Sequence, residues 1–236
     1  MAKLIRLDKL LSEMGCGTRR ELKLLCKRGF VQVNDEYVRD SAVKIDSHID
    51  KILFQGDPVV YQERYYFMLN KPAGVVSATV DEHSNTVIQL FTDQYPRRDL
   101  FPVGRLDKDT EGLLLVTNDG VWAHHITTPK KHVVKTYLAH VSGEIPPSIQ
   151  THFSAGVVLS DGYHCAPAEV AVLAPDLLRI FIHEGKYHQV KRMCAAVGIT
   201  VTALKRTAIG GLNLDKNLLP GAFRELTEQE RAIIFL

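Results

Sequence analysis

The N-terminal residues follow the periodicity of two short helices. Apolar residues between positions 7 and 14 recur at i, i+3, i+4 and i+7, which places them on one face of a helix that Gly15 ends. A second helix is predicted to begin at Thr18, because Glu21 three residues later completes a capping-box pattern, and to end at Gly29. The apolar faces of both helices predict a small helical unit at the start of the chain.

A strand-rich segment follows these helices. Residues 30–33 and 37–38 are rich in β-branched and aromatic side chains, a polar turn at 34–36 separates them, and a further short strand is predicted over 51–54. This pattern extends the N-terminal unit with a β-hairpin and a third strand.

A domain boundary is predicted near residue 60. Glycine and proline at 56–58 interrupt the periodic pattern, and the polar stretch 62–64 lies just beyond them, as is typical of a linker. We therefore expect a small domain over residues 1–60 and a larger one over residues 61–236.

The larger domain is predicted to combine short strands with a few helices. One helix is expected from about His188 to Val197, with an apolar stripe that includes Val190 and Met193 and with Gly198 at its end. We therefore expect an α+β fold on a mixed, largely antiparallel sheet. The predicted strands lie at 66–69, 113–116, 137–141 and 178–182.

Composition places the chain among ordinary globular proteins. Hydrophobic residues make up 45% and charged residues 24% of the 236 residues, which excludes a disordered, collagen-like or coiled-coil chain. The four cysteines form no close pair, which fits a reduced cytoplasmic protein rather than a disulfide scaffold. We expect neither a signal peptide nor a membrane span, because no apolar run is long enough. Histidine and cysteine spacings do not match a zinc site, so we expect no metal.

The basic residues are concentrated at the N-terminus. The net charge is only +2, yet residues 1–28 carry eight basic and three acidic side chains. On the second predicted helix, the outer face holds Arg19, Arg20, Lys23 and Lys27. Such a face is typical of a nucleic-acid-binding helix, although ordinary solvation of a helix gives the same pattern.

The densest cluster of charge lies at residues 104–112, with the sequence Gly-Arg-Leu-Asp-Lys-Asp-Thr-Glu-Gly. Glycines bracket this loop, and an apolar strand follows it directly. A loop with two basic and three acidic side chains suits a catalytic site on a rigid scaffold better than a core. Two of its carboxylates could also be the acid and the nucleophile of a glycosidase, although nothing else in the chain favours that interpretation. We expect Asp109, Thr110 and Glu111 to be solvated loop residues or a strand cap.

The loop resembles the catalytic motif of the pseudouridine synthases of the RsuA/RluA superfamily, and the resemblance implies that Asp107 is the nucleophile. Three further segments resemble that family in the same order: 70–74, 135–137 and 184–193. They imply that Tyr137 stacks on the target base and that Lys191 pairs with Asp107, with Arg192 as a substitute or as a phosphate contact.

The resemblance also implies a substrate and a head domain. Residues 4–57 resemble the S4 RNA-binding domain, and residues 184–193 are similar to those of the RsuA family, which acts on small-subunit ribosomal RNA. We therefore expect a cytoplasmic, monomeric, cofactor-free enzyme that isomerises one uridine in ribosomal RNA or in a small-subunit assembly intermediate. A large-subunit RNA synthase and a non-catalytic RNA-binding assembly factor remain the alternatives.

The reaction itself sets requirements on these residues. The bond from ribose C1′ to N1 must break and C1′ must bond to C5, so Asp107 must stay charged to attack C1′ or C6 or to assist elimination through a glycal. Burial disfavours that charge, and a cation within about 4–6 Å restores it. A paired uridine must also be flipped out, at a cost of a few kcal/mol. Arg105 is predicted to fill the vacated space or hold a phosphate, and His188 to contact RNA.

Overall fold

The computed structural model describes residues 4–95, 99–128 and 131–236. The chain divides into two compact units, the first formed by Met1–Arg64 with Phe91–Asp99 and the second by Tyr65–Leu90 with Leu100–Leu236. No helix in the described ranges is long and apolar enough to cross a membrane.

The first unit packs two helices against short strands. The predicted capping box is confirmed, since the Thr18 hydroxyl accepts from the backbone N–H of Glu21 and the Glu21 carboxylate accepts from that of Thr18. Its core is formed mainly by leucines of both helices with Val31 and Ile52. The elements are β1 Leu4–Arg6, α1 Leu7–Glu13, α2 Arg19–Lys27, β2 Val31–Val33, β3 Glu36–Tyr37, β4 Lys44–Asp46, β5 Ile52–Phe54 and β6 Asp57–Pro58.

The predicted hairpin is also confirmed. Strands β2 and β3 pair through Val33 and Glu36, and the two residues between them, Asn34 and Asp35, have φ of 52° and 66°. A two-residue turn with both φ angles positive matches the twist of an antiparallel ribbon, and Asn and Asp tolerate it.

The part of the predicted linker at 56–58 is wrong, whereas residues 62–64 directly precede Tyr65, where the second unit begins. Gln55 and Gly56 form a turn with positive φ, and Pro58 pairs with Leu53, so that this segment is the edge strand β6 of the first unit. Proline is tolerated there because an edge strand need not donate to a further neighbour. The glycine and proline at 56–58 therefore mark a reversal of the chain within the first unit and not a break between the two units.

The second unit is built on a nine-stranded sheet in the order β11-β12-β10-β13-β9-β7-β15, with β14 beside β13 and β8 beside β9. Its pairs are antiparallel except that between β9 and β13, which confirms the predicted α+β class. The strands are β7 Tyr66–Lys71, β8 Phe101–Val103, β9 Glu111–Thr117, β10 Lys135–Ser142, β11 Glu169–Ala174, β12 Leu177–Ile182, β13 Thr200–Ile209, β14 Leu212–Asn213 and β15 Phe223–Glu225.

Helices cover this sheet and complete its core. Leu113 and Leu115 of β9 are fully buried in a cluster with Met68 and Ile209 of neighbouring strands. Burial of this apolar surface is the main stabilising term for such a sheet. The helices are α3 Gly120–Thr127, α4 Ile149–Ala155, α5 Gln189–Ala196 and α6 Glu228–Ile233, with a 3-10 helix at Val87–Phe91.

A seam runs through the middle of the sheet, where β9 meets β13. The parallel contact consists of two residue pairs, Lys205 with Glu111 and Arg206 with Gly112. Gly112 has φ of +100°, and a Cβ atom on it would lie 2.2 Å from the carbonyl oxygen of Arg206. Glycine is therefore required for the two strands to come together at this point.

Candidate active site

Asp107 lies on the loop that connects β8 to β9. Its neighbour Leu106 is buried, and the backbone of Leu106 both donates to and accepts from the hydroxyl of Ser77. A further backbone bond joins the N–H of Gly74 to the carbonyl of Lys108. These bonds fix the loop from both sides, so the carboxylate of Asp107 is presented by a rigid backbone.

Lys71 binds the backbone of the same loop from the buried side. Its side chain is fully buried, and its ammonium donates to the carbonyl oxygens of Thr110 at 2.8 Å, Pro72 at 3.0 Å and Lys108 at 3.3 Å. Burial lowers the pKa of Lys71 to about 8, against the opposing effect of Asp109 and Asp107. This assigns a structural role to the lysine of the segment 70–74.

Of the two alternatives expected for Thr110, a solvated loop residue or a strand cap, the first is wrong. Thr110 is only 1% exposed, because its carbonyl is held by Lys71 and its side chain turns into the unit where β9 begins. Asp109 is exposed, as expected, yet its carboxylate accepts two bonds from Lys191 at 2.6 and 2.8 Å. The hydrogen bond from Lys191 is the main cause that lowers the pKa of Asp109.

Lys191 stands between two carboxylates. Its nitrogen is 3.4 Å from Oδ2 of Asp107 and 2.6 Å from Oδ1 of Asp109. The side chain of Asp107 is 26% exposed and that of Lys191 24%, so the pair is partly shielded from water and attracts more strongly than a surface pair. Arg192, on the same helix, instead forms its ion pair with Asp161 at 2.5 Å.

His188 approaches Asp107 from the start of α5. Its Nε2 lies 3.6 Å from Oδ1 of Asp107, and its ring stacks on Tyr187 at 3.8 Å between centroids. The backbone of His188 is left-handed, with φ of 49°. A non-glycine residue in that conformation carries strain that the surroundings must hold in place.

A partly buried hydrogen-bond network holds this turn. Gln189 donates to Oε1 of Glu184 at 2.6 Å and accepts from the backbone N–H of Lys186, while the Tyr163 hydroxyl donates to Oε2 of Glu184. The loop that delivers His188 and Lys191 is therefore anchored on both sides of its turn.

A cavity of about 680 Å³ opens beside Asp107. This volume lies within the range of roughly 300–1,000 Å³ that is usual for ligand sites. Arg105, Leu106 and Asp107 all line it, although Leu106 is only 6% exposed. Tyr137 lines it from β10, where it is 7% exposed and pairs with Arg206 of β13 and Ile180 of β12.

Two of the cavity-lining cations that were not predicted lie on the strands β10 and β13. Lys135 lies two positions before Tyr137 on β10 and therefore on the same face; burial, with a smaller effect of Arg206, lowers its pKa to about 8. The period-2 pattern of the segment 135–137 could have found it. Arg206 sits in an otherwise ordinary strand, 4% exposed, and no local signal marks it.

The predicted RNA-binding residues of α2 lie in the first unit, apart from these groups in the chain. All four are exposed, and within the described ranges none forms an ion pair: Arg19, Arg20, Lys23 and Lys27. The opposite side of α2 is apolar, with Leu22 and Cys26 buried. Lys3, part of the same basic segment, lies outside the described residues.

Comparison with known proteins agrees with this geometry. The RNA pseudouridylate synthase family model matches residues 65–196, and the S4 domain model matches residues 5–48. The chain is 44% identical to an uncharacterized RNA pseudouridine synthase of Bacillus subtilis, over 96% of both chains. It is 42% identical to ribosomal small subunit pseudouridine synthase A of Escherichia coli, over 98% of this chain and all of the relative.

A solved structure of a pseudouridylate synthase is also similar to this chain. The crystal structure of a pseudouridylate synthase with 37% identity superimposes with a TM-score of 0.69, covering 98% of this chain and 99% of the other. The matched family segment contains Asp107 and Tyr137, which line the cavity, and Lys191, which pairs with Asp107. The chain belongs to the RNA pseudouridylate synthase family and carries an S4 domain at its N-terminus.

Proposed function

We propose that this protein converts one uridine of small-subunit ribosomal RNA to pseudouridine, with Asp107 as the nucleophile. The observation that carries the proposal is the Asp107 carboxylate, fixed on a rigid loop at the cavity and 3.4 Å from the Lys191 ammonium. The substrate is supported by full-length similarity to relatives named for the ribosomal small subunit.

Asp107 begins the reaction. An ionised carboxylate can attack C1′ or C6, or assist elimination through a glycal, and each route needs its negative charge. The Lys191 ammonium lies within ion-pair distance of that carboxylate, while Asp109 holds Lys191 in place from the solvent side. The proton lost from C5 is balanced by one gained at N1, so the isomerisation needs no further reactant.

Tyr137 and Arg105 hold the flipped nucleotide. The Tyr137 ring lines the cavity where an extruded base would lie, and aromatic stacking contributes about 1–3 kcal/mol per base. Arg105 is exposed at the rim of the same cavity and is placed to fill the vacated space in the RNA or to contact the flanking phosphate. His188, 38% exposed, is a further RNA contact at the rim. Arg192 forms an ion pair with Asp161, which offsets its charge, so Arg192 serves as a weaker RNA contact than His188.

The S4 domain supplies affinity for structured RNA. The exposed basic face of α2 lies where phosphates can approach without displacing an existing ion pair among the described residues. We place the working enzyme in the cytoplasm, where ribosomal RNA is assembled, and as a monomer, because residues from one chain suffice to form the cavity.

The experiment that tests this function is tritium release from small-subunit ribosomal RNA labelled at uridine C5. Wild-type protein is expected to release tritium and Asp107→Asn to release none above background. Asp176→Asn is the matched control, because Asp176 is exposed and does not line the cavity. Release from large-subunit RNA alone would overturn the substrate. If neither RNA releases tritium, whether bare or as ribonucleoprotein, the result would support an RNA-binding assembly factor instead.

A further inference from the structure

Arg206 is a buried cation whose hydrogen-bonding capacity is incompletely used. The residue is 4% exposed, and its Nε donates to the carbonyl of Leu113 at 2.7 Å. Its Nη2 is buried and meets no hydrogen-bond partner among the described residues. A buried guanidinium nitrogen without an acceptor destabilises the folded protein. We therefore expect such a nitrogen at a cavity to donate to a bound ligand.

The charge of Arg206 is uncompensated as well. Within the described ranges neither Arg206 nor Lys135 beside it forms an ion pair, and the third buried cation, Lys71, is bound to carbonyl oxygens. A buried charge is normally paired. Arg206 and Lys135 on the cavity wall, with Lys71 behind the loop that carries Asp107, therefore produce a positive potential that favours an anionic ligand group.

The position of Arg206 connects it with the reaction. It pairs across the sheet with Tyr137, and both residues line the cavity that holds Asp107. Thr110, which lines the same cavity, also has a buried hydroxyl without a partner among the described residues. A guanidinium donor and a hydroxyl match the edge of uracil, which offers two carbonyl oxygens and one N–H.

The reaction places negative charge on that edge. When the C1′–N1 bond breaks, both electrons leave with the base, and C1′ is captured by Asp107 as an ester or forms a glycal after C2′ gives its proton to Asp107. If Asp107 instead adds to C6, the electron pair moves towards O4. In each case the carbonyl oxygens of the ring carry the charge until C5 bonds to C1′, and a preorganised donor at such a position lowers the barrier.

We propose that Arg206 is a further catalytic residue, whose Nη2 donates to a carbonyl oxygen of the uracil and stabilises the negative charge of the base in the intermediate. The proposal rests on the proposed function. It goes beyond the bond from Nε to Leu113, which holds Arg206 against the sheet and leaves Nη2 without a role.

The test compares two leaving bases in one RNA context. A small-subunit RNA fragment carries either uridine or 5-fluorouridine at the modified position. At saturating enzyme, samples of the RNA are digested to nucleosides, and chromatography measures how fast the uridine or 5-fluorouridine disappears. Fluorine at C5 withdraws electrons, so the fluorinated base bears negative charge more readily. We expect Arg206→Gln to slow uridine cleavage by about 100-fold or more, and to raise the 5-fluorouridine-to-uridine rate ratio at least tenfold above the wild-type ratio.

The control is Arg179→Gln, the same substitution at an exposed arginine of strand β12, which does not line the cavity and should leave both rates unchanged. Thermal unfolding monitored by circular dichroism reports folding. If Arg206→Gln is unfolded at the assay temperature, Arg206→Lys carries the test, with a smaller rise of the ratio.

An unchanged ratio would overturn the inference, because a purely structural defect slows both substrates alike. So would a loss of RNA affinity with an unchanged rate at saturation, which would indicate a phosphate contact. A wild-type protein that converts neither RNA would overturn the proposed function itself.

Discussion

At the scale of single residues, Lys191 is the ammonium that pairs with Asp107. Its nitrogen lies 3.4 Å from Asp107 and 2.6 Å from Asp109. Lys191→Ala is expected to lower kcat by about 100-fold or more, because a half-buried carboxylate would lose its counter-ion. Asp109→Asn keeps the ammonium and should cost much less. Single-turnover tritium release measures both, and undiminished turnover of Lys191→Ala would reject the role.

Tyr137 has a ring and a hydroxyl that a single substitution separates. The ring is buried in the cavity wall, and no partner for the hydroxyl is found among the described residues. Tyr137→Phe is expected to bind RNA within about twofold of wild type yet to lose about 10²–10⁴ in turnover, if the hydroxyl removes the C5 proton. Filter binding and single-turnover rates measure the two effects, and full activity of the phenylalanine variant would leave stacking as the only role of Tyr137.

At the scale of elements, the seam between β9 and β13 depends on Gly112. A Cβ atom there would meet the Arg206 carbonyl at 2.2 Å, on a residue with φ of +100°. Gly112→Ala should therefore lower the free energy of unfolding by roughly 2–4 kcal/mol, through steric clash and backbone strain. Gly120→Ala is the matched control, because Gly120 begins α3 and has nothing within 4 Å of its added Cβ. Equal melting temperatures of the two variants would contradict this account of the seam.

The C-terminal helix α6 has a pH-dependent anchor. Arg224 donates to Glu230 at 2.7 Å and lies 2.8 Å from Asp215, and its hydrogen bond lowers the pKa of Glu230 from 4.5 to about 2. Because the folded pKa is below the unfolded one, the stabilisation is complete above about pH 4.5 and is lost as the pH falls towards 2. Glu230→Gln should melt below wild type at pH 7, and the difference should close over that range. A difference that persists at pH 2 would mean that packing, not charge, anchors the helix.

At the scale of the whole molecule, the proposed function assigns RNA binding to the first unit and the chemistry to the second. Replacing Arg19, Arg20, Lys23 and Lys27 together by Gln should weaken RNA binding and reduce its salt dependence, by about 0.9 in the slope of log K for each phosphate that is no longer neutralised. The rate at saturating RNA should stay near that of wild type. Lys51→Gln serves as control, because Lys51 already pairs with Asp35. Binding titrations over a series of salt concentrations test this, and an unchanged slope would show that the face is merely solvated.

The sequence predicted local structure better than long-range contacts. Capping at Thr18 and the turn at Asn34 depend on neighbouring residues and could be predicted directly. The burial of Thr110 and the roles of Lys71 and Arg206 depend on strands that meet only in the folded sheet. Asp107 and Lys191 lie on segments far apart along the chain, and they were identified by family resemblance rather than by pattern.

The narrow seam also determines when in its folding the chain becomes an enzyme. Asp107 precedes β9 on one side of the seam, whereas Tyr137 and Lys191 belong to β10 and α5 on the other. The bond between Arg206 and Leu113 that locks the seam closes a separation of 93 residues. Contacts of such span form after local hairpins, because loop closure must precede them. A chain in which the seam has not closed therefore holds Asp107 and Tyr137 on separate parts of the sheet and is not expected to modify RNA.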